Sequence, residues 1–181
     1  MEHFASTVEG YFDDWDFDFY RYAVKQAPDK AHFVEVGSWK GRSTAFMAVE
    51  IINSGKDIQL DAIDTFIGSE EMQQDSDVIN KTLFQTFQAN MSPVRGYYNP
   101  VVAESTAAAK LYNDNSIDFV FIDASHDYDS VVADIKAWYP KVKPGGMISG
   151  HDYPHDPVRR AVADQLTTPI GAQGACWFTI K

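Results

Sequence analysis

Residues 33–44 read Phe33-Val34-Glu35-Val36-Gly37-Ser38-Trp39-Lys40-Gly41-Arg42-Ser43-Thr44. A short apolar run enters a turn bounded by two glycines, and apolar residues at helical spacing follow from Arg42 to Asn53. Strand, tight turn and helix in that order form the first half of a βαβ unit. Gly37 lets the backbone reverse, Gly41 permits close approach, and the helix start offers unpaired N–H groups to a polar ligand. The Glu35 carboxylate would sit near a cationic amino group. Any tight strand-to-helix turn can also carry two glycines, so this stretch alone leaves a purely structural reading open.

Outward from that unit the same alternation continues. Further strands are predicted over Gln59–Asp64, Pro100–Ala103, Ile117–Asp123 and Gly146–Ser149, with the first over Ala31–Val36; each is short and apolar, as buried central strands are. Helical spacing marks Val78–Asn90, Thr106–Tyr112, Ser130–Tyr139 and, after Pro157, Val158–Gln165. Pro144-Gly145-Gly146 reads as a turn into a strand, and 169–180 as two closing strands separated by a turn over Gly171–Gly174. The fold predicted is α/β: a Rossmann-like three-layer sandwich, its sheet mostly parallel with a C-terminal antiparallel strand. Residues 1–181 form one domain, of which 1–30 are an N-terminal helical, aromatic segment.

Composition narrows the function. Lys plus Arg number 15 against 26 Asp plus Glu, a formal charge of −11, which opposes the phosphate attraction behind most nucleic-acid binding. Nucleic acid is therefore not an expected partner. The single cysteine, Cys176, permits no internal disulfide and lies in an apolar context that suits a buried strand. No segment approaches the ~20 apolar residues of a membrane span, and the first residues lack a secretion pattern, so a soluble cytoplasmic protein is expected. Asp13, Asp14, Asp16 and Asp18 alternate with aromatic residues. They read either as the solvated face of a helix whose aromatic side packs on the body, or as part of an aromatic flap over the site.

In open α/β sheets ligands bind beyond the carboxyl ends of the strands, where strand order reverses. Asp64 closes the second strand at about the ~20-residue interval from the glycine turn at which nucleotide folds hold ribose hydroxyls. Thr65 beside it suits the same role, and capping of a downstream helix is the structural alternative. The glycine pattern is E-x-G-x-x-x-G, not the G-x-G-x-x-G that admits a dinucleotide pyrophosphate, and a P-loop is absent. Gly41-Arg42-Ser43-Thr44-Ala45 lacks the second glycine of a hydrolase elbow.

With these residues, the chain resembles the class I S-adenosylmethionine-dependent methyltransferases, in particular methyltransferase family 24, over about residues 31–180. The most specific segments are Phe119-Val120-Phe121-Ile122-Asp123-Ala124-Ser125-His126-Asp127-Tyr128, then Val142-Lys143-Pro144-Gly145-Gly146, then Gly150-His151-Asp152-Tyr153. The resemblance implies that Glu35, Gly37 and Gly41 line the methionine end of the cofactor, with Ser38 and Ser43 in the same turn. It also implies that Asp64 and Thr65 hold the ribose, that Ser105 lies near the adenine, and that Asp123 faces the reacting centre.

Similar strand ends in metal-dependent O-methyltransferases imply a metal held by Asp123, His151 and Asp152. An imidazole among the ligands puts magnesium in doubt and leaves manganese, iron or no metal open. Without a cation or proton, the two carboxylates would repel each other. The expected reaction is O-methylation of a small hydroxylated acceptor of sugar or phenolic type. His126 is the first candidate for its base and His151 the second, since an imidazole titrates near ~6.5. His155 is the weakest member of the group, and the alternative for Asp152 is a helix cap before Pro157. The acidic stretch 67–81 suits either a movable lid or a solvated loop. Dimerisation would complete the acceptor pocket of so short a chain. A nicotinamide-dependent oxidoreductase and a metal-dependent hydrolase on the same sheet are the alternative activities.

Overall fold

The computed structural model describes residues 1–69 and 72–181. Helix α1 (Asp14–Gln26) leads into β1 (His32–Val36), α2 (Arg42–Ser54), β2 (Gln59–Asp64), α3 (Ser76–Ile79), α4 (Leu83–Asn90), β3 (Asn99–Val102) and α5 (Ser105–Ala109). There follow β4 (Ile117–Ile122), α6 (Tyr128–Trp138), β5 (Val142–Gly150), α7 (Asp156–Gln165), β6 (Gly171–Gln173) and β7 (Cys176–Ile180). One sheet takes the order β3-β2-β1-β4-β5-β7-β6. Its first five strands are parallel, while β7 runs antiparallel to β5 and to β6.

Strand order reverses between β1 and β4, which places a crevice beyond their carboxyl ends. One face of the sheet is covered by α1 and α2 with the aromatic residues Phe17, Phe19, Tyr20 and Phe46. The other is covered by α5, α6 and α7 around Trp138 and Trp177. Among the described residues no helix is long and apolar enough to cross a membrane.

The boundaries differ from expectation where side chains intervene. The helix expected over Val78–Asn90 is two, because Lys81 turns at φ 57 and Thr82 and Thr86 both donate to Asp77 Oδ1 at 2.8 Å. The Pro144-Gly145-Gly146 turn is part of β5, at a shift in its register with β4; such an irregularity is where a strand tolerates proline. The closing hairpin is tighter than expected: Gly171 is already in strand, and Gln173 pairs with Cys176 across Gly174-Ala175. Helix α6 begins at Tyr128 because Asp127 accepts from the Ser130 N–H at 3.0 Å.

Gly37 is needed for close approach. It lies at φ 92, and a Cβ there would stand 1.9 Å from the Asp123 carbonyl oxygen, where the ends of β1 and β4 meet.

Candidate active site

A cavity of about 760 Å³ opens at the carboxyl ends of β1, β2 and β4, within the size range of ligand pockets. Gly37, Ser38, Ser43, Asp64, Thr65, Ser105, Asp123, His126, His151 and Asp152 all line it. Glu35 and Gly41, expected beside the ligand, are not among the residues that line this cavity.

Glu35 points instead into the layer beneath α1 and α2. It is 1 % exposed and accepts from Tyr20 Oη at 2.9 Å, Ser43 Oγ at 3.1 Å and Thr44 Oγ1. Burial pushes its carboxyl up to about 7 against the pull of those bonds. Gly41 is the αL cap of α2 and backs onto Phe87 and Met91. Both residues shape the turn from behind.

Asp64 fixes two turns at once. Its Oδ2 accepts the Trp39 N–H and its Oδ1 the Phe66 N–H, each at 2.7 Å. Trp39 and Phe66 stand at φ 42 and 54, and Asp152 at φ 57. These three left-handed residues follow β1, β2 and β5, and such strain persists only where the surroundings hold it, commonly at functional sites. Burial raises the Asp64 carboxyl against those bonds.

Across the crevice, acids and histidines interleave. His126 Nε2 lies 3.0 Å from Asp152 Oδ2 and 3.8 Å from Asp123 Oδ1. His151 Nδ1 lies 3.2 Å from Asp152 Oδ2 and 3.8 Å from Asp123 Oδ1, and its Nε2 lies 3.1 Å from Asp16 Oδ2. Asp152 is not a helix cap: His155 occupies the N-cap of α7, and its N–H donates to the Asp152 backbone oxygen. His155 lines the cavity, its ring 6.2 Å from that of His126.

His151 is 9 % exposed. Desolvation alone would lower its pKa, but the hydrogen bond to Asp152 and the Asp16 carboxylate 3.1 Å from Nε2 outweigh that and push it up to about 10. The same contacts hold Asp16 and Asp152 below the usual carboxylate range against their own burial. His151 is thus held as an imidazolium. A raised folded-state pKa contributes stability that is complete below the unfolded value near ~6.5 and is lost as pH rises through about 10. Denaturant unfolding should show the wild type losing on the order of 3 kcal/mol more than His151→Gln between pH 6.5 and 10. Equal slopes would show that the imidazole is already neutral at pH 7.

Three contributors were missed in the sequence. Asp16 was read among solvated aspartates, yet it is buried; a capping box turns it inward, where it also accepts from the Ala175 N–H at 3.2 Å. Lys40 is buried with Nζ at 2.8 Å from Glu9, 2.7 Å from Asp75 and 3.3 Å from Asp77, tying the N-terminal segment and the start of α3 to the β1 turn. Asp134 lines the cavity from α6. Its helical position resembled any solvated acid, and only the packing of α5 on α6 reveals it.

The N-terminal aromatics divide into two groups. Phe17, Phe19 and Tyr20 pack on the body. Tyr11 stacks on Trp39 at 5.5 Å, Phe12 stacks on His151 at 5.2 Å, and both line the cavity. Of the acidic stretch 67–81, Ile67, Gly68, Ser69 and Met72 line the cavity as well, while Glu70 and Glu71 lie outside the described residues.

A family described as a methyltransferase domain, number 24 of that name, matches residues 34–153, more than half of the chain. Curated proteins yield no match. Among solved structures, the chain is similar to the O-methyltransferase NovP, with TM-score 0.69 and 15% identity over 91% of this chain and 78% of that one. It is also similar to an S-adenosylmethionine-dependent O-methyltransferase from Thermotoga maritima, with TM-score 0.65 and 11% identity over 97% and 68%. A third is CalS11, a TDP-rhamnose 3'-O-methyltransferase, with TM-score 0.61 and 14% identity over 91% and 77%. At these identities the likeness is one of fold.

Proposed function

Because the chain belongs to this methyltransferase family, we propose that it transfers the methyl group of S-adenosylmethionine to a hydroxyl of a small sugar-type or phenolic acceptor. The observation that carries this reading is the position of the cavity. It sits at the reversal of strand order, with Gly37 and Asp64 on one side and the acid–histidine cluster on the other. Such a crevice is where an adenosyl ligand and an acceptor could meet.

Asp64 is assigned the ribose hydroxyls. Backbone N–H groups already aim both its oxygens, and a carboxylate keeps further acceptor positions open. Ser38, Ser43 and Thr65 are assigned to the same ligand. Asp123 borders the reacting centre, and His126 is assigned the proton of the acceptor hydroxyl. When bound, S-adenosylmethionine supplies an electrophilic methyl on a sulfonium; the protein's part is to bring the acceptor oxygen in line, within about 3–3.5 Å of it.

A divalent metal would be held by Asp123, His151 and Asp152, each of which offers one atom within 4.8 Å of the others. Two carboxylate oxygens and an imidazole suit manganese or iron better than magnesium, and such an ion would polarise the acceptor oxygen. His151 would have to give up its proton to join it.

Calorimetry with S-adenosylhomocysteine and with NAD tests the cofactor assignment. Uptake of the first alone is expected, and Asp64→Asn should weaken it by about 10–100-fold, the scale of a hydrogen bond to a charged group. Well-folded wild type that takes up no S-adenosylhomocysteine would overturn the assignment, and unchanged affinity in Asp64→Asn would remove Asp64 from it.

A further inference from the structure

Where α5 packs on α6, the cavity wall carries a buried carboxylate. Asp134 is 4 % exposed, lines the cavity, and among the described residues takes its one hydrogen bond from the Ser105 hydroxyl. Ser105 Oγ in turn accepts from Trp138 Nε1 at 3.0 Å. The serine proton is directed at Asp134 and a lone pair is taken by the indole. This corner therefore offers a ligand an unfilled carboxylate acceptor rather than a hydroxyl donor. Burial pushes the Asp134 carboxyl up to about 6, which leaves it mostly ionised at neutral pH and short of donors.

Its neighbours indicate which donor fits. The Ala103 N–H donates to the Asp64 backbone oxygen at 3.0 Å, so residues 103–105 leave the sheet beside the acid assigned to the ribose. Ile63, Ala103 and Ala133 also line the cavity, and their small or flat apolar side chains suit the faces of a planar ring. A base attached to a ribose at Asp64 would extend along this wall, with its edge toward Asp134.

We infer that Asp134 accepts a hydrogen bond from the exocyclic amine of the cofactor's purine, and so makes the site select an aminopurine over one with a carbonyl at that position. Ser105 and Trp138 act through Asp134, holding its carboxylate in place. The inference rests on the cofactor reading above.

Calorimetry of S-adenosylhomocysteine against S-inosylhomocysteine separates the two ideas. The wild type should prefer the adenosyl compound by about 30-fold or more, because the inosyl carbonyl leaves a buried carboxylate facing another acceptor. Asp134→Asn, whose amide can donate to that carbonyl, should reduce the ratio to about threefold or invert it, and Asp134→Ala should also narrow it. A wild type that binds neither compound overturns the cofactor reading and this inference together. Binding with the full preference kept in either variant, shown to be folded by its melting curve, overturns this inference and leaves the cofactor reading standing.

Discussion

Gly37→Ala is expected to lower the unfolding free energy by about 4 kcal/mol and to abolish cofactor binding even where the protein remains folded. Two effects add. An alanine at φ 92 meets the left-handed penalty of roughly 1–2 kcal/mol. Its Cβ would also lie 1.9 Å from the Asp123 carbonyl oxygen and 2.4 Å from the carbonyl carbon. The obstacle is backbone of a central strand end, so no rotamer change relieves it, and overpacking of this kind costs about 1–3 kcal/mol. Relief would require β1 and β4 to part at the crevice, which displaces Asp123 from the cavity wall. For a domain of this size a change of 4 kcal/mol corresponds to a fall of about 8–15 °C in melting temperature. Gly55 supplies the control: it has φ 69 with nothing within 4 Å, so Gly55→Ala should lose only about 1 kcal/mol. Thermal melting of both variants reads the comparison, and equal losses would refute the close-approach account.

The same contrast explains what could be read in the chain. Gly37, Asp64 and Asp123 were legible at strand ends because each closes or follows a short apolar run, and in a parallel sheet a strand's carboxyl end fixes where that residue stands. The interleaving of β1 between β2 and β4 follows from the order of βαβ units. The face that Glu35 takes was not legible, because sequence position brings a residue to the strand end without saying which way its side chain points. Here it faces the α1 and α2 layer, where Tyr20, Ser43 and Thr44 enclose it. Asp16, Lys40 and Asp134 were invisible for a related reason. Their partners lie at His151, at Asp75 and Asp77, and at Ser105, in elements brought near only by tertiary packing. A charged residue in an acidic, amphipathic stretch carries no local sign that it will be buried. The break at Lys81 was hidden because hydrophobic spacing continues through it, while the turn is set by Asp77, Thr82 and Thr86.

His126→Ala is expected to slow methyl transfer by about 10²–10³-fold, within the usual contribution of a positioned general base. The affinity for S-adenosylhomocysteine should change by less than about threefold, since the assigned cofactor contacts lie elsewhere. His151 is poorly suited to the role. As an imidazolium with its pKa at about 10, it already carries the proton that a base would have to accept. His126 also lines the cavity, and its Nε2 lies 3.0 Å from Asp152 Oδ2 and 3.8 Å from the Oδ1 of Asp123, the residue assigned to border the reacting centre. The N-cap of α6 is the neighbouring Asp127. Release of S-adenosylhomocysteine from a panel of phenolic and sugar acceptors, measured beside a melting curve, separates the outcomes. Unchanged turnover in folded His126→Ala protein would place the base elsewhere, and a rate loss that merely tracks a loss of folded protein would make the histidine structural.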